Sequence, residues 1–192
     1  MTDTTRGEHA RSPMARTAAC VCAVLSLVLG CSMTEGDGGS GGPAESYRVL
    51  SVDDARAEVR ELSSSVLDLT GLEGTFSEPG PGVSTCEEDP RKERLYLVRH
   101  IWSVSGLPER ELTAGMDRLR EQLPGEGWEI VEDGFRDNPA RTPRFIADNH
   151  AAGYGVNVEF IRAYEDSEPM LSVTLVSGCL STPEGESPRG EY

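Results

Sequence analysis

Few side chains in this 192-residue chain have the types and spacing to do chemistry: three histidines, five cysteines and a surplus of carboxylates. His100 stands inside the apolar run RLYLVRHIWSV, from Arg94 to Val104, where a histidine is a packed or edge residue rather than a ligand. His150 follows Asp148 and Asn149 just ahead of Ala152-Gly153. A polar site could use it, yet Asp-Asn-His at such a place is ordinary turn chemistry. Glu87-Glu88-Asp89 offers carboxylates to a cation but lacks the alternating ligands of a calcium loop, and it reads as a solvated charge run. No serine sits in a G-x-S-x-G elbow and no cysteine pair has zinc spacing. Gly153-x-Gly155 lies in a strand pattern rather than ahead of a helix, so no phosphate loop is signalled. The expectation is no catalytic, cofactor or metal residue.

The cysteines carry more information. Residues 17–30 read TAACVCAVLSLVLG, a fourteen-residue apolar run after Arg11 and Arg16. It is too short to span a bilayer and has the length of a signal-peptide core. Met14 opens a second possible start, so translation from Met1 or from Met14 stays open. The run ends in Val28-Leu29-Gly30-Cys31, which resembles the lipobox of bacterial lipoproteins, with Leu at the second position before the cut less usual than Ala or Ser. That resemblance implies a signal over residues 1–30 and a lipid on Cys31. A thiolate is the nucleophile such thioether formation needs, and two acyl chains at ~0.8 kcal/mol per buried CH₂ hold where one is marginal. The alternative is an ordinary cleaved signal that happens to be followed by cysteine. With Cys20 and Cys22 in the signal and Cys31 lipidated, Cys86 and Cys179 remain, and two cysteines in an oxidising, exported domain are expected to pair. The alternative is two free thiols.

Charge narrows the partners. The chain carries a formal charge of −15; with Asp3 and Glu8 against Arg6, Arg11 and Arg16 in the first thirty residues, the remainder is −16. Such a surface repels nucleic acid and anionic head groups, so no nucleic acid is expected and membrane contact falls to the lipid.

Residues 31–46 contain SMTEGDGGSGGPAES, a Gly/Ser-rich tether with a reach of about 20 Å. A single domain is expected over 47–180 and a disordered tail over 181–192, which holds two prolines and three glutamates. Ser51 with Asp54 resembles a capping box. Val52, Ala55, Val59, Leu62, Val66 and Leu69 then recur at helical steps until Gly71. Pro108 opens a second helix through Leu112, Met116, Leu119 and Leu123, ended at Pro124-Gly125. Between the helices lies a long loop holding Cys86, then a central strand from Arg94 to Val104. Strands follow at 128–132, 144–149, 154–164 and 170–180. In the last two, Val156, Val158, Phe160, Leu171, Val173 and Leu175 form one face. The predicted fold is α+β, an antiparallel sheet of four to five strands with two helices packed on one face.

With the lipobox Cys31, the helix from Ser51, Cys86, Gly127-Trp128, the segments GYGVNVEF and LSVTLVSGCL, and Cys179 in place, the chain resembles the mycobacterial LppA-like group of actinobacterial lipoproteins. That resemblance covers most of 51–180 and implies anchor, fold type and the cysteine pair; it brings no catalytic residues. The leading expectation is a non-enzymatic lipoprotein on the outer face of the cell membrane that binds an envelope protein or ligand. Its open sheet face is the candidate surface: Ile161 and Val176 as an apolar spot among Asn157, Glu159 and Thr174. An envelope hydrolase using surface carboxylates and a structural cell-wall spacer are the alternatives.

Overall fold

The computed structural model describes residues 47–77, 79–89, 91 and 93–191. The expected signal, Cys31 and the tether lie outside the described residues. Among these residues no helix is long and apolar enough to cross a membrane.

Local chemistry sets both helices. Helix α1 (Val52–Thr70) starts at Ser51, whose hydroxyl accepts the Asp54 N–H, and Asp53 and Asp54 sit at the positive end of its dipole. It stops at Gly71, whose φ of 56° lies in the left-handed region that a side chain makes costly. No basic residue stands in its last turn. Instead Arg118 reaches across from α2 and donates to the Thr70 carbonyl. Helix α2 (Glu109–Gln122) begins after Pro108, and the chain tightens into a 3-10 turn over Leu123–Glu126 before Gly127 closes it.

The strands are β1 (Arg48–Val49), β2 (Thr75–Ser77), β3 (Gly82–Thr85), β4 (Leu95–Ser105), β5 (Glu129–Phe135), β6 (Pro143–Asn149), β7 (Tyr154–Ile161), β8 (Met170–Ser177) and β9 (Leu180–Ser181). They form one mixed sheet in the order β1-β9-β4-β8-β7-β6-β5, antiparallel except where β1 runs parallel to β9. Strands β3 and β2 follow one another along one edge of β4, while β9 and β8 line its other edge. The predicted class, α+β with two helices on a sheet, is the observed one. The strand count is not: the described residues hold nine. The five long strands are those the sequence marks as strands. The other four are two to four residues each, and backbone pairing to β4 or β9 is what makes them strands.

Inward-facing Tyr96, Val98, Trp102 and Val104 of β4, Phe145 of β6, Val156 and Val158 of β7, and Leu171, Val173 and Leu175 of β8 meet Val59 and Val66 of α1 and Leu112, Met116 and Leu119 of α2. Gly115 belongs to the helix contact: a Cβ there would stand 2.6 Å from Leu72. The Tyr96 hydroxyl donates to the carbonyls of Leu50 and Ser51 at 2.8 and 2.9 Å, tying the entry of α1 to the central strand.

The expected disordered tail also differs. Ser181 is in β9 and its carbonyl accepts Leu50 N–H at 2.9 Å. Thr182 is buried and donates its N–H to Arg94, and Arg56 pairs with Glu191 at 2.6 Å. Low apolar content does not prevent order here, because the segment is held by backbone pairing to β1 and β4 rather than by a hydrophobic face of its own.

Candidate functional site

Cys86 follows β3 and Cys179 stands between β8 and β9; their sulfurs are within disulfide distance. The cross-link joins the two strands that flank the start of β4. Glu88 lies beside it, and the ligand atoms of Cys86, Glu88 and Cys179 all fall within 4.8 Å of one another. Paired sulfurs offer a cation no thiolate, so these three make a donor set only after reduction.

Asp89, from the acidic run, is occupied otherwise. Its Oδ2 accepts the backbone N–H groups of Glu93, Arg94 and Leu95 at 2.7, 2.8 and 3.0 Å. Those bonds, led by the Arg94 amide, lower its carboxyl to about 2. A carboxyl depressed on folding stabilises the fold above its ordinary value of 3.8 and loses that contribution as pH falls through about 2. We expect Asp89→Asn to lower the melting temperature at neutral pH. The gap from the native chain should close between about pH 4 and pH 2, measured by thermal denaturation over that range. A gap independent of pH would refute a stabilising role for these three hydrogen bonds.

His150 is exposed, 3.4 Å from Glu129. Its neighbour Asn149 accepts the Ala152 N–H through Oδ1 at 2.9 Å, while the Asn149 carbonyl accepts Gly153 N–H. Those bonds are the turn chemistry its sequence setting predicts.

The five residues expected to form a partner surface share one side of the sheet. Asn157, Glu159 and Ile161 of β7 and Thr174 and Val176 of β8 all alternate away from the helices. The register divides them. Ile161 lies opposite Met170 and Val176 opposite Gly155, at the two ends of the β7–β8 ladder, so they do not form one apolar spot. The apolar residues nearest Thr174 and Asn157 are Ile101 and Ile146, in the row Ile101, Thr174, Asn157, Ile146. Glu159 pairs with Arg136 at 3.3 Å, and Arg144 pairs with Glu132. The face is thus a polar, largely self-paired surface with Ile101 exposed upon it.

A site that the sequence did not announce lies on the other face. The buried stripe of α1 runs Val52, Ala55, Val59, Ser63, Val66, Thr70. Ser63 and Thr70 replace Leu62 and Leu69, which are only partly buried. Thr70 is satisfied by the Leu67 carbonyl at 2.7 Å. Ser63 Oγ is 2.7 Å from Nδ1 of the buried His100. His100 is packed, as its strand setting predicts, and it also borders a cleft. Ser63, Ser64 and Leu67 of α1, Phe76 of β2, and His100 and Trp102 of β4 enclose about 260 Å³ there. Ser63 and Leu67 share a helix face one turn apart, and His100 and Trp102 share a strand face two residues apart. Trp102 is 4% exposed. Its buried Nε1–H has no hydrogen-bond partner among the described residues. Phe76, at 45% exposure, stands at the rim. A polar residue at a helical step from Val59, together with a histidine in an apolar strand, was the available signal; only packing joins them.

A wider hollow of about 620 Å³ opens between the end of α1 and α2. Both of its arginines are already engaged, Arg118 by the Thr70 carbonyl and Arg110 by Glu111 at 3.6 Å.

No family model, curated protein or solved structure matches this chain.

Proposed function

We propose that the chain is an extracytoplasmic lipoprotein, anchored to the cell membrane through Cys31, whose domain holds a small ligand in the cleft between α1 and β4 and acts by binding without turnover. The observation that carries the ligand reading is the cleft's chemistry: a buried indole N–H with no partner among the described residues, next to the hydrogen bond between Ser63 Oγ and His100 Nδ1, with apolar walls from Leu67 and Phe76. Specific pockets have this composition, mostly apolar lining with a few placed polar groups. Burying a donor without a partner costs about 1–3 kcal/mol, and a bound acceptor removes that cost. The anchor rests on the apolar run and Gly30-Cys31, and the resemblance to LppA-like lipoproteins agrees with it.

The Ser63–His100 contact favours one other reading, a hydrolase with Ser63 as nucleophile. Ser63 lies in the interior of α1, where the surrounding amides serve helical bonds and cannot hold an oxyanion. Binding is therefore preferred.

Two measurements on the full chain test the proposal. Cys31→Ala should move the protein out of the membrane fraction, and continued retention would overturn the anchor. A screen of small molecules and ester substrates should yield ligands that shift the Trp102 indole N–H signal saturably. Turnover lost in Ser63→Ala with the fold retained would establish the hydrolase instead, and a screen in which no compound moves that signal would overturn the cleft as a binding site.

A further inference from the structure

Resting on the ligand-binding reading, we infer that the cleft takes a compact, uncharged molecule presenting a hydrogen-bond-acceptor oxygen on an apolar body. Size sets the first limit. A dry cavity of ~150 Å³ holds benzene, and about 260 Å³ leaves room for one ring and a substituent.

The donor inventory sets the second. An indole N–H only donates, and that of Trp102 is buried with no partner among the described residues, so the missing group is an acceptor. Ser63 is already matched by His100 at 2.7 Å, which holds this wall in place before a ligand arrives. The Ser64 hydroxyl, which can donate or accept, adds an adaptable contact.

Charge sets the third. Among the described residues no Lys, Arg, Asp or Glu lines the cleft, and the chain carries −15. A carboxylate drawn into it would lose its hydration with no guanidinium or ammonium to replace it, the one imidazole nearby being that of His100, already bonded to Ser63 through Nδ1, and an ammonium would find no carboxylate among the described residues. A carbonyl, amide or ether oxygen meets the indole at far lower desolvation cost. The remaining surface is apolar: Leu67, the Trp102 ring and Phe76, whose exposed side chain at the rim has area left to cover.

The experiment uses the full chain with ¹⁵N-labelled tryptophan, which has two indole signals because the chain has two tryptophans. Trp102→Phe assigns the Trp102 signal by its loss. Three probes of similar size are titrated: benzamide, a neutral acceptor; benzoate, an anionic acceptor; and indole, a neutral donor without an acceptor oxygen. Benzamide should move the Trp102 signal downfield and bind about five- to tenfold more tightly than either of the others, the ratio one neutral hydrogen bond supplies. In Trp102→Phe, followed through the ligand's own signals, benzamide should lose that advantage while indole binds as before. The native-chain series needs no variant to fold. Benzoate binding as tightly as benzamide would overturn the uncharged assignment. Indole binding as tightly would overturn the acceptor requirement. In either case ligand binding would stand, whereas no response of Trp102 to these probes or to the wider screen would remove both.

Discussion

Replacing both Cys86 and Cys179 with alanine is expected to destabilise the fold by about 4–5 kcal/mol. The two residues are 93 apart in sequence, and a cross-link closing a loop of that size removes this much chain entropy from the unfolded state in the loop-closure account. The energy matters because of what the bridge holds. Cys86 follows β3 and Cys179 precedes β9, strands of four and two residues. Neither has a hydrophobic face large enough to dock by itself. Urea unfolding of the double variant should show a lower midpoint, and amide exchange should accelerate first in β3, β9 and β1, which depends on β9 for its pairing. A loss below about 1 kcal/mol would mean that the sulfurs are not paired in the protein.

Phe145→Ala should cost about 3–5 kcal/mol, the range for emptying a fully buried aromatic site. Phe145 in β6 is 0% exposed, sits in the single core and has the Arg120 guanidinium 5.2 Å from its ring. Phe135, on the edge strand β5, provides the internal control. It is 53% exposed, and the guanidinium over it belongs to a turn residue, Arg141. Phe135→Ala should therefore shift stability by less than about 0.5 kcal/mol. Denaturant midpoints measured at an unchanged slope test the pair. Equal losses at the two positions would mean that β5 does not form the edge of the sheet.

Both results bear on the cleft, since its walls come from α1, β2 and β4, joined through the same core.

What could be read from the sequence is what neighbouring residues decide among themselves. Ser51 and Asp54 cap a helix whose apolar positions recur every three or four residues, and Gly71 ends it through its own backbone freedom. Pro108 starts the second helix in the same local way. The alternation in β7 and β8 assigns their side chains to faces because a strand's period is two. Two cysteines left after the apolar N-terminal run suffice to predict a pair.

Tertiary structure decided the rest. Arg48–Val49, Thr75–Ser77 and Leu180–Ser181 have no pattern of their own; they are strands because β4 and β9 offer them unpaired amides and carbonyls. Register separated Ile161 from Val176, a relation that depends on where two strands align and not on either strand's composition. The cleft is the clearest case. Ser63 and Leu62 are adjacent on a helix, and the choice of which turns inward depends on what waits there. His100, 37 residues away, makes the serine the better inward residue by accepting or donating a hydrogen bond that leucine cannot make. Local propensity is a property of a window of sequence, whereas the partner of a buried polar group is a property of the folded chain.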